Sequence, residues 1–349
     1  MGKFMKIGVV MAVMLCAAGA FASNFRVADQ VYVPVAGHIA SSRLFLTDVY
    51  ISNLEDDSVD VSVMFIVPPS AGDATGIKPF PKLLTLAPRE RREIIDFIGA
   101  PTSAGGLGLS GLGQLVFNGC KAGQDCTPDP TTGENVNFRN ISVETRIYSI
   151  DPANANSPAT APSNGQLFAG LPWYSYVSSD STSAGLDKVF ITGLRNTGTN
   201  GQTGTYRTNL GFANASQFST TTLLVKLFDG KTGTQIGGDK TVTLGPLQIA
   251  QPGAAALFSP FVGPTATNAY VTVEQVASAT QPTSDAAANG CANGCPAFFA
   301  WGSLLDNTTN DAITLEAQYL KPVTKAAINC IYNLTCKGAF NPHRAVKHQ

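Results

Sequence analysis

Apolar and polar residues alternate with a period of two in short runs spread along the chain, the rhythm of strands buried on one face. Residues 44–52 and 59–67 alternate in this way. The turn-forming run Asn53-Leu54-Glu55-Asp56-Asp57-Ser58 between them predicts an antiparallel hairpin. Residues 31–35, 83–86, 92–95, 115–117 and 141–150 supply further strands, with Pro34 marking an edge or a strand end. In the last run Val143, Thr145, Ile147 and Ser149 take one face and Glu144, Arg146 and Tyr148 the other, one dry and one wet. A second series follows at 188–194, 206–214, 220–228, 241–244, 248–250, 270–276, 298–305 and 313–317. Roughly seven short strands per series is the content of an immunoglobulin-like sandwich. Helical periodicity is confined to a single expected turn at 93–98.

The two series share a text. Thr47-Asp48-Val49-Tyr50-Ile51-Ser52-Asn53 returns as Thr208-Asn209-Leu210-Gly211-Phe212-Ala213-Asn214, and Thr85-Leu86-Ala87-Pro88 returns as Thr243-Leu244-Gly245-Pro246. A recurrence in the same order predicts two copies of one all-β domain. The expected plan is therefore two tandem immunoglobulin-like antiparallel β-sandwich domains after a signal peptide. Residues 1–22 form the signal, 23–150 the first sandwich, 151–165 a linker, 166–320 the second sandwich and 321–349 a tail. The linker expectation rests on Pro152, Pro158 and Pro162 standing among small polar residues with no apolar period.

Lys3 and Lys6 precede an apolar run at 7–15, and Ala20-Phe21-Ala22 offers a cleavage site, the layout of an export signal. That run falls short of the roughly 20 residues of a bilayer span. Leu15 before Cys16 speaks against a lipoprotein. Export into an oxidising compartment gives the remaining cysteines a reading as disulfides. Sequence proximity pairs Cys120 with Cys126, Cys291 with Cys295 and Cys330 with Cys336. The first two pairs fall in corresponding connections of the two series, which favours loop staples over a redox site. A zinc site from Cys291, Cys295, Cys330 and Cys336 is the competing arrangement, disfavoured by spacing and compartment.

Charge adds an exclusion. Only 13% of residues are charged and the net charge is -1, which leaves no basic face for nucleic acid. Candidate chemistry is sparse. His38 could serve a triad only with partners brought from elsewhere in the chain, and His343 and His348 lie in the tail. Glu55, Asp56, Asp57 and Asp60 could offer oxygens to calcium, but the matching turn Ala215-Ser216-Gln217-Phe218 has no carboxylate, so they read as a solvated tip. Glu144, Asp151, Asp306 and Glu316 are carboxylates without a pairing pattern for glycoside hydrolysis. Arg89-Glu90-Arg91-Arg92 reads as a guarded edge, and the glycine-rich 105–113 lacks the lysine of a phosphate cradle. Trp301 reads as sandwich core, whereas Trp173, Tyr174 and Tyr176 form a candidate contact surface.

Val33-Pro34-Val35-Ala36, the first copy of the repeated motif, Tyr206-Arg207 leading into the second, and Phe299-Ala300-Trp301-Gly302-Ser303-Leu304-Leu305-Asp306-Asn307 together resemble a group of exported bacterial proteins. Those are uncharacterised proteins with duplicated β-sandwich domains and no established activity. The resemblance implies export and tandem sandwiches and transfers no catalytic residue; the cysteine-clipped loops and the cysteine-bearing tail depart from it. The functional expectation is a non-catalytic structural, adhesive or binding module of the cell envelope or surface. It needs no cofactor or metal, does not span the membrane, and has an envelope protein or a glycan as partner. A carbohydrate-binding module is the alternative, and a secreted hydrolase built on His38 a more distant one.

Overall fold

A computed structural model describes residues 27–68, 76–127, 135–172, 188–214, 220–246, 248–276 and 298–319. The first half contains β1 (Gln30–Ala40), β2 (Leu44–Asn53), β3 (Val59–Ile66), β4 (Ile77–Leu86), β5 (Arg91–Ile94), β6 (Gly111–Lys121), β7 (Ile141–Ile150), β8 (Asn164–Ala169) and β9 (Leu171–Pro172). The second contains β10 (Lys188–Leu194), β11 (Tyr206–Asn214), β12 (Thr221–Asp229), β13 (Gln235–Leu244), β14 (Ile249–Ala250), β15 (Ala269–Gln275), β16 (Phe298–Asp306), β17 (Ala312–Glu316) and β18 (Gln318–Tyr319). One α-helical turn, Ala254–Leu257, and three 3-10 turns, Thr102–Ala104, Pro152–Asn154 and Pro158–Thr160, stand among them. The chain is all-β, with antiparallel pairing throughout these strands. No helix of the described residues is long and apolar enough to cross a membrane.

The two halves are wired alike. In the first, one layer runs β4-β3-β6-β1 with β9 beside β1, and the other runs β5-β2-β7-β8. In the second, the layers run β13-β12-β15-β10-β18 and β14-β11-β16-β17. Counting each half from its own first strand gives the same two orders. They differ at one corner: Ile39 and Ala40 at the end of β1 pair with Phe45 and Leu44 of β2, joining the first half's layers, while β10 and β11 do not pair. Lettered A to G, the first seven strands form layers D-C-F-A and E-B-G, whereas constant immunoglobulin domains use ABED and CFG.

Alternation explains which side chains fill each sandwich. Val31, Val33, Val61, Val63, Phe65, Leu115 and Phe117 of one layer meet Val49, Ile51, Ile141 and Val143 of the other in one buried cluster. Val189, Ile191, Leu223, Val225, Leu227, Val271 and Val273 meet Leu210, Phe212, Phe298 and Ala300 in a second. β16 breaks the pattern because both its faces are dry. Phe298 and Ala300 point into their own sandwich, while Phe299 and Trp301 join the first half's cluster together with Ala213. A strand covered on both sides reads as a continuous apolar run, and Phe298-Phe299-Ala300-Trp301 is one.

Several expectations change at this level. Residues 44–53 and 59–66 do not form a hairpin: β2 pairs with β7 and β5, β3 with β4 and β6, so the chain crosses between layers through the 54–58 turn. Alternation fixes a strand's face and is silent about its partner. Pro34 lies inside β1 rather than at its end, where the β1–β6 register slips between Val33 and Ala36, a bulge that spares the missing N–H. Residues 95–99 form turns rather than a helix, with Asp96 at φ 51°. The expected linker is built into the first half. Ala161 packs on Leu44, Leu46, Tyr148 and Ile150, and 164–169 pair with β7 as β8. Tyr148, expected on a wet face, is buried beneath that segment.

Candidate functional site

The polar residues of the repeated motif are bonded to backbone in matching ways. Thr47 Oγ1 accepts from Gly37 N–H at 2.8 Å and donates to Gly37 O at 3.0 Å. Thr208 Oγ1 accepts from Arg195 N–H at 3.0 Å and donates to Arg195 O at 2.7 Å. Each threonine thus ties the end of the preceding strand to the opposite layer. At the far end of the motif, Asn53 Nδ2 donates to Asp57 O and Ala87 O, both at 2.8 Å. Asn214 Nδ2 donates to Leu244 O at 3.3 Å and Gly245 O at 2.9 Å. The proline turn that follows is closed alike in both halves. Ala87 N–H donates to Glu90 Oε2 at 2.6 Å, and Gly245 N–H to Gln248 Oε1 at 2.8 Å. Both threonines and both asparagines are fully or nearly fully buried. Buried polar side chains satisfied by backbone in this way serve the fold and leave little for a ligand.

What the halves do not share lies at the corner where β1 meets β2. His38 Nδ1 lies 2.9 Å and 3.0 Å from the two Asp96 oxygens, with both side chains partly buried. Gly99 makes room for the pair, since a Cβ there would lie 2.2 Å from His38 Nδ1 and 2.4 Å from Asp96 Oδ2. Asp48 Oδ1 accepts from Asp96 N–H and from the Tyr148 hydroxyl, each at 2.9 Å. Burial pushes the Asp48 carboxyl up, against the pull of the Asp96 amide, the Tyr148 hydroxyl and Arg146. Burial, and then the Asp48 charge, drives the Tyr148 phenol well above its usual range. The Arg146 guanidinium stacks 4.5 Å above the Tyr148 ring and reaches Ser163 Oγ. A histidine held by a carboxylate is half of a nucleophile-activating arrangement. Among the described residues, Asp96 is its hydrogen-bonding partner, and no hydroxyl or thiol completes the set. In the second half Asn196 follows Arg195 as His38 follows Gly37, and its amide is bonded to Phe261 O at 2.7 Å.

The other expected site residues resolve into supports. Cys120 and Cys126 form a disulfide, with Cys120 inside β6 rather than after it. The acids of the 54–60 turn fasten it to its surroundings. Asp57 lies 2.9 Å from Arg139 and 3.2 Å from Lys121, whose hydrogen bonds hold its carboxyl below the usual range. Asp56 pairs with Arg89, Glu55 accepts from Asn140, and Asp60 accepts from Gly123 N–H and Thr85. No group of three metal-capable side chains converges among the described residues. Glu144 faces Arg91, Asp151 accepts from Ala153 N–H, Asp306 accepts from Thr308 and Thr309 N–H, and Glu316 lies opposite Trp301 across the β16–β17 ladder. Cys291, Cys295, Cys330, Cys336, Trp173, Tyr174, Tyr176, His343 and His348 lie outside the described residues.

The largest feature missed from sequence is the seam between the halves. Trp301 meets Phe168 edge-on at 6.0 Å, Phe299 meets Tyr32 at 5.4 Å, and Gln114 Nε2 donates to Asn214 O at 2.9 Å. Asn164 donates to Thr309 O, and Thr314 to Leu167 O, where β8 runs beside β17. A cleft opens there between Pro34, Phe168, Leu171, Trp301, Glu316 and Tyr319. Gly211 is the enabling residue, because a Cβ at that position would lie 1.9 Å from the Trp301 indole. Glycine at 211 against tyrosine at 50 in the matching motif was the available signal, since a glycine leaves room for a ring.

No family model matches the chain, and no curated protein matches it. Among solved structures it is similar to the partial N-terminal region of an enterococcal surface protein, at 10% identity and a TM-score of 0.20 over 87% of this chain and 97% of that one. It is also similar to the BSP domain of a biofilm-associated protein, again at 10% identity and a TM-score of 0.20, over 88% of this chain and 61% of that one. At that degree of superposition a shared function does not follow.

Proposed function

We propose that the chain is a non-catalytic exported protein, a structural, adhesive or binding module of the cell envelope or surface, made by duplication of one antiparallel β-sandwich. Its partner is an envelope protein or a glycan met through sheet faces and loops. The observation that carries this reading is the matched bonding of Thr47 with Thr208 and Asn53 with Asn214. What both copies keep is fold maintenance, and a site built on one copy would have to be sought in what differs. The test is surface labelling of intact cells, followed by crosslinking in the envelope fraction. Recovery of the chain there, joined to an envelope component, is the expected result. Residence in the cytoplasm would overturn it.

The His38–Asp96 pair favours a second reading, a secreted hydrolase, because it meets one geometric demand of a base oriented by an acid. That reading ranks lower. The backbone N–H of Asp96 also donates to Asp48 Oδ1, so the pair also closes a corner of the fold. A hydrolytic activity lost in both His38→Ala and Asp96→Asn chains, with folding intact, would promote it.

A further inference from the structure

The face of the first half that docks the second has a counterpart in the second half, and the geometry points to that counterpart as a docking surface for a second copy of this chain. Register makes the correspondence. Tyr32 pairs with Val116 and Val116 with Met64, and Gln114 pairs with Ile66; the four apolar side chains share a buried cluster with Ala213, Phe299 and Trp301 of the second half, and Gln114 donates to Asn214 O. In the second half Phe190 pairs with Thr272 and Thr272 with Lys226, and Tyr270 pairs with Phe228, at the same places in the ladder. Phe190, Tyr270 and Phe228 are only half-buried and belong to neither core cluster. A row of half-buried aromatics on a sheet face is unusual for a surface that meets water alone.

The ring geometry selects the kind of occupant. Phe228 and Tyr270 stack on each other at 5.1 Å and 15°, and Phe190 tilts against Tyr270 at 6.5 Å and 35°. Stacked rings turn their faces to one another and their edges outward. A sugar would need the faces, whereas a packed sheet or another ring accepts the edges. The row is flanked by Lys188–Glu274 at 2.7 Å and Lys226–Asp239 at 3.2 Å.

Within the molecule the covering face is that of β11 and β16, where Gly211 pairs with Trp301 and Ala213 with Phe299. Its counterpart in the first half is the outward face of β2 and β7, where Tyr50 pairs with Glu144 and Ser52 with Ser142. Arg91 stands over the Tyr50 ring and beside Glu144 there, so that face also pairs an aromatic with both signs of charge. Joining β2–β7 of one copy to β10–β15–β12 of the next repeats the placement of the seam between molecules, with Tyr50 and Glu144 where Gly211 and Trp301 stand within one. Such a contact is heterologous and leaves a free face at each end for further copies. The inference rests on the duplicated-sandwich reading.

Sedimentation velocity of the full mature chain, from about 1 μM to about 1 mM, tests it. The wild type is expected to shift from monomer to larger species as concentration rises. Tyr270→Glu should hold it monomeric, as should Phe190→Lys, with circular dichroism and melting unchanged. Tyr50→Lys should hold it monomeric from the opposite face. Mixing the Tyr270→Glu and Tyr50→Lys chains should restore dimers and nothing larger, because each supplies the face the other lacks. A wild type that stays monomeric throughout would overturn the proposal while leaving the correspondence of the halves intact. So would dimers formed by Tyr50→Lys alone, since the aromatic face would then be pairing with itself.

Discussion

The two halves share their wiring and diverge in where they place polar side chains. The first half puts ionisable groups at its β1–β2 corner: His38, Asp48, Asp96 and Arg146 are all within one bonded network. The second has Asn196 and Asn209 in the places of His38 and Asp48, and invests in aromatic packing through Phe299 and Trp301. Backbone-directed threonines and asparagines are retained in both. A sandwich of this wiring needs its strand ends tied down, and can then vary its faces to make either a polar corner or an apolar seam.

Breaking the seam should have the largest effect. Trp301→Ala removes a ring buried between the halves and should cost about 3–5 kcal/mol. The loss should be shared, so that calorimetry shows both halves melting earlier. An effect confined to one transition would mean that the seam contributes little.

The shared ties come next. Asn53→Ala and Asn214→Ala each remove two hydrogen bonds to backbone carbonyls, while Ala87 O and Gly245 O keep the N–H of Glu90 and Gln248, and each should cost about 1–3 kcal/mol. Chemical denaturation should find the two losses alike to within about 1 kcal/mol. Opening the Cys120–Cys126 disulfide by a Cys120→Ser, Cys126→Ser double change should cost about 2 kcal/mol, the loop entropy of so short a closure. Because Cys120 lies in β6 opposite Asp60 of β3, amide exchange should rise in the β3–β6 ladder near it.

The smallest effect carries the opposite sign. Burial raises the Asp48 pKa in the folded chain, so its contribution to stability is fully present below its unfolded pKa of about 4 and is lost as pH rises through the folded value. Asparagine, the residue at 209, can accept the same Asp96 and Tyr148 hydrogen bonds without the charge. Asp48→Asn should therefore raise the melting temperature at neutral pH, with the gain shrinking as pH falls. A lower melting temperature at neutral pH would show that Arg146 outweighs burial there.

Much of this was legible in the chain, for physical reasons that also mark the limits. Alternation identified nearly every strand because a sheet with one wet face imposes a period of two. It could not tell that β2 and β3 belong to different layers, since pairing partners leave no trace in a single strand's pattern. Proximity was enough for Cys120–Cys126, where the intervening loop is too short to offer many alternatives. β8 escaped because Asn164-Gly165-Gln166 looks like tether, and its pairing with β7 comes from the neighbour's open edge rather than from its own propensity. Trp301 was legible as buried and illegible as shared, because burial against another domain and burial against one's own sheet look alike in sequence. The His38–Asp96 pair joins residues 58 apart and could not be read at all.

If the halves are equivalent, Thr47 and Thr208 do the same work in each. Hydrogen exchange at the Gly37 and Arg195 amides measures this directly, since each donates to one of those hydroxyls. Both amides should be protected in the wild type. Thr47→Val should release Gly37 alone, and Thr208→Val should release Arg195 alone. Free exchange of either amide in the wild type, or protection that survives loss of its own threonine, would contradict the equivalence of the halves.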